Sequence, residues 1–245
     1  MNSQVNTMAL KRVNDFEKNG YVVINLPKPS KEITDSFNNM PRDSHSLGRC
    51  RHIRLSQYFI YWEDNSWVLA LLPQRKYVQS AKFIRLAEAG GVKRHREQLQ
   101  VDVTSVVSPI MDALGLERSG QYQANVNQIR VVCNEEFKGI TVPEGPHRDG
   151  HQYSVIAVVK RENVDGGVTQ VIDPDTIETL FETTLEENQA ILLDDENFIH
   201  YASEITPTSG NTCYRDIWVV EINEWSNRCY GPTHDREASL YKIME

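Results

Sequence analysis

The chain has 245 residues, 40% of them hydrophobic, and a net charge of −8 at pH 7. This length and apolar content suffice for one large β-rich domain, 1–245, in which no domain boundary is evident. The acidic balance argues against a nucleic acid as partner, because a polyanion would be repelled. No apolar run is long enough to span a bilayer, and no positively charged start precedes an apolar core, so we expect neither a membrane segment nor a secretory signal.

The cysteines indicate a reducing compartment. Cys50, Cys133, Cys213 and Cys229 are scattered along the chain and form no Cys-x-x-Cys pair. We interpret them as free thiols rather than as a disulfide framework or a zinc site, and we expect a cytoplasmic protein.

The first 120 residues are predicted to form a helical and irregular N-terminal part. In chain order, the pattern predicts a helix carrying Leu10, Val13 and Phe16 that ends at Asn19-Gly20, a strand at 21–26, a short helix capped by Ser30, a strand at 51–62, an irregular polar segment at 73–98 and a helix at 103–114. The last of these has the most continuous apolar stripe, which is typical of a helix packed on a core.

Beyond these helices the chain changes character and becomes rich in strands. Runs with high β propensity predict strands at 126–133, 153–160, 168–172, 189–193, 198–201 and 213–222. Helices followed by about six to eight strands favour a mainly β fold, in which a double-sheet barrel carries helices on one side. We expect residues 1–120 to pack on a barrel core at 121–222, and residues 223–245 to form a C-terminal extension with a short helix.

Two histidines and one aspartate form a candidate metal site. His147 and Asp149 are two residues apart, so in an extended segment both side chains leave the same face. His200 follows 51 residues after Asp149, far enough for intervening strands to bring it alongside. Two imidazoles and one carboxylate form the facial triad of non-haem Fe(II) oxygenases. A second His-x-acid match, His95-Arg96-Glu97, is followed by no β-prone run, whereas His147 is followed by one at 153–159.

A candidate anion-binding cation follows the triad. Arg215 lies 15 residues beyond His200 and begins a very apolar strand. A buried arginine there requires an anion, and a carboxylate binds guanidinium through a two-pronged, charge-assisted pair. The order His-x-Asp, His, Arg favours a dicarboxylate cosubstrate as that anion. The alternative partners are the neighbouring carboxylates Asp216 and Glu221.

Together these motifs resemble the Fe(II)/2-oxoglutarate-dependent dioxygenases, and among them the bacterial L-isoleucine 4-hydroxylase type of free amino-acid hydroxylase. The resemblance covers about residues 43–222. The matching segments are Gly48-Arg-Cys-Arg51 with Ser56 and Tyr58, Tyr77-Val-Gln-Ser80, Gly90-Gly91 with Arg94, Asn127-Gln-Ile-Arg130, His147-Arg-Asp149, Gly166-Gly167, Asp195 before His200, Thr206-Pro207, and Arg215-Asp216-Ile217. The chain departs from the family in an extra histidine, His151, and in a longer C-terminal tail.

The resemblance implies a double-stranded β-helix core (jelly-roll, cupin-like) that holds Fe(II) with His147, Asp149 and His200. It further implies 2-oxoglutarate and O2 as cosubstrates, Arg215 on the distal carboxylate of 2-oxoglutarate, and ascorbate as the reductant in an assay. The expected products are a hydroxylated compound, succinate and CO2. Asp149 favours hydroxylation, because the related halogenases lack this carboxylate.

A free amino-acid substrate needs a cation for its carboxylate and an acceptor for its ammonium group. The candidates for substrate binding are Arg130, Arg51, Arg54, Gln128 and Gln79. His151 lies two residues beyond Asp149, and we interpret it as a substrate contact or a support for the ligands rather than as a fourth ligand. Each of these residues could instead be structural.

Other functions stay open on the sequence alone. The same iron site could catalyse desaturation or cyclisation of an amino acid-derived metabolite, and a barrel of this kind could bind a small ligand without catalysis. A nucleic-acid demethylase of the same superfamily is disfavoured by the acidic balance. We expect a small-molecule substrate as partner and leave the oligomeric state open, a homodimer included.

Overall fold

The computed structural model describes residues 13–44, 50–210 and 213–240. Its helices and strands are α1 at residues 13–19, β1 Tyr21–Asn25, α2 Lys31–Asp35, β2 Arg51–Glu63, β3 Ser66–Leu71, α3 Thr104–Ala113, β4 Gln121–Cys133, β5 Tyr153–Glu162, β6 Val164–Gly166, β7 Val168–Ile172, β8 Thr179–Thr184, β9 Gln189–Asp194, β10 Ile199–Ala202, β11 Ile205–Pro207, β12 Cys213–Glu224 and α4 Pro232–Leu240. Leu10 of the first predicted helix and Gly48 of the first matching segment lie outside the described residues.

The strands form two main antiparallel sheets that enclose one cavity. The larger sheet has seven strands in the order β1-β9-β5-β12-β4-β2-β3, the smaller has the order β10-β7-β8, and β11 pairs with β6. Residues of both main sheets line the cavity. The predicted fold class, a mainly β jelly-roll core with flanking helices, is confirmed.

Alternation along the strands of the larger sheet separates the cavity from the helical side. On β12 the cavity is lined by Arg215 and by every second residue as far as Glu221. The residues between them include Trp218, which is 1% exposed and packs edge-to-face on Phe37 beside the helices. Because strand side chains point alternately to opposite faces, one strand contributes both to the cavity and to the core beneath the helices.

The buried face of α3 carries the stripe that the sequence predicted. Val107, Ile110 and Met111 are fully buried in the core cluster that also includes Trp218. The helix ends beside Gly115, whose φ of +68° is readily adopted by glycine. Removing apolar surface from water contributes about 25 cal/mol per Å², and the burial of this stripe therefore stabilises the packing of the helix on the sheet.

Most predicted strands and helices are confirmed, with differences of at most five residues at each end, and the C-terminal extension contains the short helix α4. The segment at 73–98 contains no helix and no named strand, as predicted. Four strands were not predicted: β3, β6, β8 and β11. Two of these, β6 and β11, have only three residues each, β8 is mostly exposed, and β3 has a single buried residue, so none carries the buried alternation on which the prediction relied.

The four cysteines are free, as predicted, and three of them are buried. Among the described residues, no helix is both long and apolar enough to cross a membrane. Cytoplasmic localisation stays a prediction.

Candidate active site

The three predicted metal ligands converge at one end of the cavity. His147 and His200 are antiparallel bridge partners, with backbone hydrogen bonds of 3.0 and 2.9 Å, and their ring centroids are 4.5 Å apart. Asp149 places Oδ1 3.3 Å from Nε2 of His147 and Oδ2 3.6 Å from Nε2 of His200. One candidate ligand atom from each of the three residues lies within 4.8 Å of the candidate ligand atoms of the other two. The donor set and spacing fit a single divalent ion of the kind held by facial triads.

Asp195 fixes the loop that carries two of these ligands. Its carboxylate accepts the backbone N–H groups of residues 149, 150 and 151 at 3.0, 2.8 and 3.0 Å. The same carboxylate lies 3.5 Å from Nδ1 of His200. A carboxylate behind a ligating imidazole orients the ring and makes its other nitrogen a better donor to metal.

The remaining ligands are oriented in the same way. Nδ1 of His147 lies 3.0 Å from the carbonyl oxygen of Gly145, which in the neutral ring places the proton on Nδ1 and leaves Nε2 free to bind a metal. The hydroxyl of Ser154 donates to Oδ2 of Asp149 at 2.6 Å. His147 and Asp149 thus each have a hydrogen-bond partner, whereas Nδ1 of His200 lies 3.5 Å from the carboxylate of Asp195 without a hydrogen bond.

The protein alone stabilises opposite charges in this cluster. Burial acts to raise the pKa of Asp149, but His200 and His147 together hold it well below its usual range. Burial acts to lower the pKa of His147, yet its hydrogen bond to Asp149 and the charge of that carboxylate raise it to about 9. The buried carboxylate of Asp149, which protonated imidazoles stabilise in the metal-free protein, can be stabilised by a divalent cation instead, because metal binding displaces those protons.

Arg215 lines the same cavity and lacks a protein partner. It is 1% exposed, and its Nε and Nη2 atoms are buried without a hydrogen-bond partner. Burial, followed by repulsion from Arg161, lowers its pKa to about 9. Thr169, on β7, also lines the cavity with an unpartnered hydroxyl. An uncompensated buried guanidinium is costly, so this end of the cavity fits an anion such as a carboxylate.

The alternative partners of Arg215 are engaged elsewhere. Asp216 forms a two-pronged ion pair with Arg130, at 2.7 Å to each oxygen. Glu221 accepts from Asn125 at 2.7 Å and lies 3.1 Å from His151. Among the described residues, no carboxylate lies within ion-pair distance of Arg215.

Of the predicted substrate residues, two line the cavity: Arg51 and Gln79. The buried Nε of Arg51 lies 3.9 Å from the carboxylate of Asp43 but forms no hydrogen bond. Gln79 accepts a hydrogen bond of 2.6 Å from Arg94. Their positions are compatible with the predicted role.

The other three predicted substrate residues on strands lie outside the cavity lining: Arg54, Gln128 and Arg130. Their partners are Asn39, Ser36 and Asp216, respectively. On β4, Asn127 and Ile129 face the cavity, so the residues between and after them point to the helical side. These three side chains therefore lie on the face of the sheet away from the cavity.

His151 belongs to a buried polar network rather than to the ligand cluster. Besides its contact with Glu221, its Nδ1 lies 2.7 Å from the side-chain amide of Asn223. Burial acts to lower its pKa, but Cys229 and Glu221 raise it well above the usual value. The cluster of candidate ligands among the described residues comprises His147, Asp149 and His200 alone.

Several cavity residues were not singled out as site residues from the sequence: Asp43, Arg94, Arg96, Glu144, Thr169 and Glu221. Arg94 lay within a segment of the family resemblance, but no spacing or motif indicated its role. The others are polar residues whose inclusion depends on which strand or loop faces the cavity.

Three solved structures share this fold over nearly their whole length. A bsmA homolog from Methylobium petroleophilum PM1 is 19% identical, with a TM-score of 0.75 over 89% of this chain and 93% of that one. IDO from Bacillus thuringiensis is 14% identical, with a TM-score of 0.62 over 89% and 95%. The Fe(II)/α-ketoglutarate-dependent dioxygenase TqaL is also 14% identical, with a TM-score of 0.62 over 89% and 87%. At these identities the likeness shows the fold.

A search of curated proteins finds no match. The family model described as 2OG-Fe dioxygenase matches residues 34–221, which include the triad and Arg215. The chain therefore belongs to the 2OG-Fe dioxygenase family, which uses Fe(II), 2-oxoglutarate and O2.

Proposed function

We propose that this protein hydroxylates an unactivated C–H bond of a free L-amino acid or a close derivative, with release of succinate and CO2. In this proposal His147, Asp149 and His200 hold Fe(II), and Arg215 binds the distal carboxylate of 2-oxoglutarate. The observation that carries it is the unpartnered guanidinium of Arg215 in the same cavity as the triad. One cavity thus offers both a metal site and a separate anion site.

When bound, the iron couples the decarboxylation of 2-oxoglutarate by O2 to the oxidation of a C–H bond. The chain contributes binding, orientation and electrostatics. Arg215 and the hydroxyl of Thr169 would orient the cosubstrate from its distal end, away from the metal. Asp195 and Ser154 keep the metal ligands in place. The buried walls limit the access of water to the reacting groups.

The charges of the cavity favour a zwitterionic substrate. Among the described residues its lining includes four arginines and four carboxylates: Arg51, Arg94, Arg96 and Arg215, and Asp43, Glu144, Asp149 and Glu221. The positive charge of Fe(II) and the negative charge of the 2-oxoglutarate dianion would also cancel. A substrate without net charge but with separate positive and negative groups preserves this balance, as an amino acid does.

A carboxylate near the metal ligands suits the ammonium group. Glu144 lines the cavity, and its Oε2 is buried without a hydrogen-bond partner. Its other oxygen lies 3.7 Å from Nε2 of His147. An ammonium group would satisfy the orphaned oxygen and would sit close to the site of oxidation.

The remaining walls favour an aliphatic side chain. Apolar residues from the strands and from the irregular segment at 73–98 line the cavity, namely Ile53, Ile84, Leu86, Ile129, Ile156 and Ile217. Such walls bind aliphatic groups without a hydrogen-bonding requirement. The family resemblance to the isoleucine hydroxylase type supports the same proposal.

The test is succinate formation from 2-oxoglutarate in the presence of Fe(II), ascorbate and each of the proteinogenic amino acids, with product masses measured in parallel. We expect succinate to rise with an aliphatic amino acid and a product heavier by one oxygen atom. A product lighter by two hydrogens would replace hydroxylation by desaturation or ring closure. If no amino acid stimulates succinate formation although 2-oxoglutarate binds, the amino-acid substrate class is wrong.

A further inference from the structure

A second buried arginine in the cavity lies apart from Arg215. Arg94 is 5% exposed and belongs to the segment at 73–98. Its backbone forms a two-way bridge with Tyr77, at 2.7 and 2.8 Å, and its guanidinium lies 5.3 Å from the centre of the Tyr77 ring. Its Nη2 donates to the side chain of Gln79 at 2.6 Å. The head group is therefore held in one orientation.

Arg94 has no anionic partner. Its Nε is buried without a hydrogen-bond partner, and no carboxylate of the described residues lies within ion-pair distance of it. The acid beside it, Asp43, is bound by both nitrogens of Arg96, at 2.5 and 3.1 Å, and lies 3.9 Å from Nε of Arg51. Burial lowers the pKa of Arg94, Arg96 and Arg51 lower it further, and Tyr77 and Asp43 act in the opposite direction. The carboxylate of Asp43 is thus already contacted by two guanidinium groups, and Arg94 has no ion pair of its own.

The guanidinium group of Arg94 would be stabilised by an anion that the protein itself does not supply. A buried cation without a partner loses its hydration and gains no compensating ion pair. The two arginines are held by different parts of the chain: Arg215 lies on β12 beside Gly167, whereas Arg94 is fixed by Gln79 and Tyr77 in the segment at 73–98. The cavity therefore contains two distinct anion positions, and 2-oxoglutarate supplies the distal carboxylate for one of them.

We propose that Arg94, held by Gln79 and Tyr77, binds the carboxylate of the substrate and makes the enzyme selective for carboxylic acids over their amides. This inference rests on the proposed function, since it assigns the other anion to 2-oxoglutarate. Ile84, Leu86 and Ala89 line the cavity from the same segment as Arg94. A carboxylate at Arg94 would therefore place an aliphatic chain against an apolar wall.

The experiment measures binding rather than turnover. The protein is loaded with Fe(II) and 2-oxoglutarate without O2, and L-isoleucine, L-leucine, L-valine and their amides are titrated by calorimetry. The variants are Arg94→Gln, Arg94→Lys and, for the binding of 2-oxoglutarate, Arg215→Gln. Arg85→Gln is the matched control, because Arg85 lies in the same segment but is exposed and outside the cavity lining.

We expect the best-bound amino acid to bind about 10- to 100-fold more weakly to Arg94→Gln, the range for a hydrogen bond to a charged group. The amide of this amino acid should bind the wild type with a similar loss of affinity. The amide should bind Arg94→Gln little more weakly than it binds the wild type, because the contact is already lost. Arg94→Lys should recover part of the affinity, while Arg85→Gln and 2-oxoglutarate binding should be unchanged. A merely structural role of Arg94 would weaken acid and amide alike.

Three outcomes would overturn the inference, and they separate it from the proposed function. Equal binding of the amino acid by wild type and Arg94→Gln would remove Arg94 from substrate recognition and leave the proposed function standing. Weaker binding of 2-oxoglutarate to Arg94→Gln, with Arg215→Gln unaffected, would reverse the two anion sites. Failure of every amino acid to bind the wild type loaded with 2-oxoglutarate would overturn the substrate class and the role of Arg94 together.

Discussion

The carboxylate of Asp195 accepts the backbone N–H of Asp149 at 3.0 Å, although the two residues are 46 positions apart in the chain. Together with two further N–H bonds and its position beside His200, it joins the loop of two metal ligands to the strand of the third. The geometry of the triad therefore depends on a residue that binds no metal itself.

Asp195→Asn should weaken metal binding while leaving the fold intact. The amide retains one acceptor oxygen and introduces an N–H₂ group that faces backbone N–H donors, so the loop loses part of its anchor. We expect about 10- to 100-fold weaker Fe(II) binding, as is usual when a group that orients a ligand is changed. Anaerobic metal titration measures this. Glu196→Gln is the control, because that side chain is exposed; equal metal affinity in both variants would contradict the role of Asp195.

Asp149→Ala should abolish succinate formation without unfolding the protein. The change removes one of three candidate ligands, while the two imidazoles left behind can lose their proton and stay uncharged in the buried site, so the fold should be retained. Circular dichroism and thermal unfolding check the fold, and stimulated succinate formation checks activity. Full activity of the folded variant would show that iron is not held by these residues.

Arg215→Gln should chiefly raise the concentration of 2-oxoglutarate that the enzyme requires. Loss of a charge-assisted carboxylate contact corresponds to about 1.5–3 kcal/mol, or about 10- to 100-fold in apparent affinity. Thr169→Val, which removes a neutral hydroxyl of the same cavity, should have a smaller effect of about 0.5–1.5 kcal/mol. The measurement is the KM for 2-oxoglutarate at saturating substrate. An unchanged KM in Arg215→Gln would exclude this arginine as the cosubstrate anchor.

The metal site was predictable from sequence because two of its three ligands lie close together in the chain. His147 and Asp149 are two residues apart, and His200 lies in a β-prone run that became β10. Arg215 was recognisable because a cation at the start of an apolar strand is unusual. The fold class followed from the succession of helices and strands.

The substrate side was not predictable, and β4 shows why. Its residues from Tyr122 to Ile129 are all buried, because one face covers the cavity and the other covers the helical core. Polar Gln123, Asn125 and Asn127 alternate with apolar residues, but this pattern breaks at Gln128 and Arg130, which are polar although they face the helical side. The sequence therefore did not show which polar residues of β4 reach the cavity. His151 lies outside the ligand cluster, in agreement with the prediction that it is not a fourth ligand. Gly150 has a φ of +86°, so the chain turns there and the two-residue periodicity of a strand is interrupted.

Glu144→Gln should reduce the preference of the enzyme for amines. If its unpartnered oxygen accepts the ammonium group, L-isoleucine should bind the wild type better than 3-methylpentanoic acid, which lacks the amine. The neutral glutamine should narrow that difference by about tenfold or more. Calorimetry on the Fe(II)- and 2-oxoglutarate-loaded protein without O2 measures both ligands. Glu135→Gln, an exposed site, is the control, and an unchanged preference in Glu144→Gln would place the amine elsewhere.

Cys229 should be more reactive towards alkylating reagents than the other described cysteines at neutral pH. Burial acts to raise its pKa, but His151 and His234 outweigh this and lower it to about 6. By contrast, burial raises the pKa of Cys133 to about 11. Because the thiolate is the nucleophile and is populated above the pKa, the alkylation rate of Cys229 should rise as pH passes through about 6 and then level off. Mass spectrometry of peptides after timed alkylation measures the rate at each site. A rate that keeps rising to about pH 8.5, as for an ordinary thiol, would contradict the influence of the two imidazoles, and His234→Asn should shift the profile towards that value.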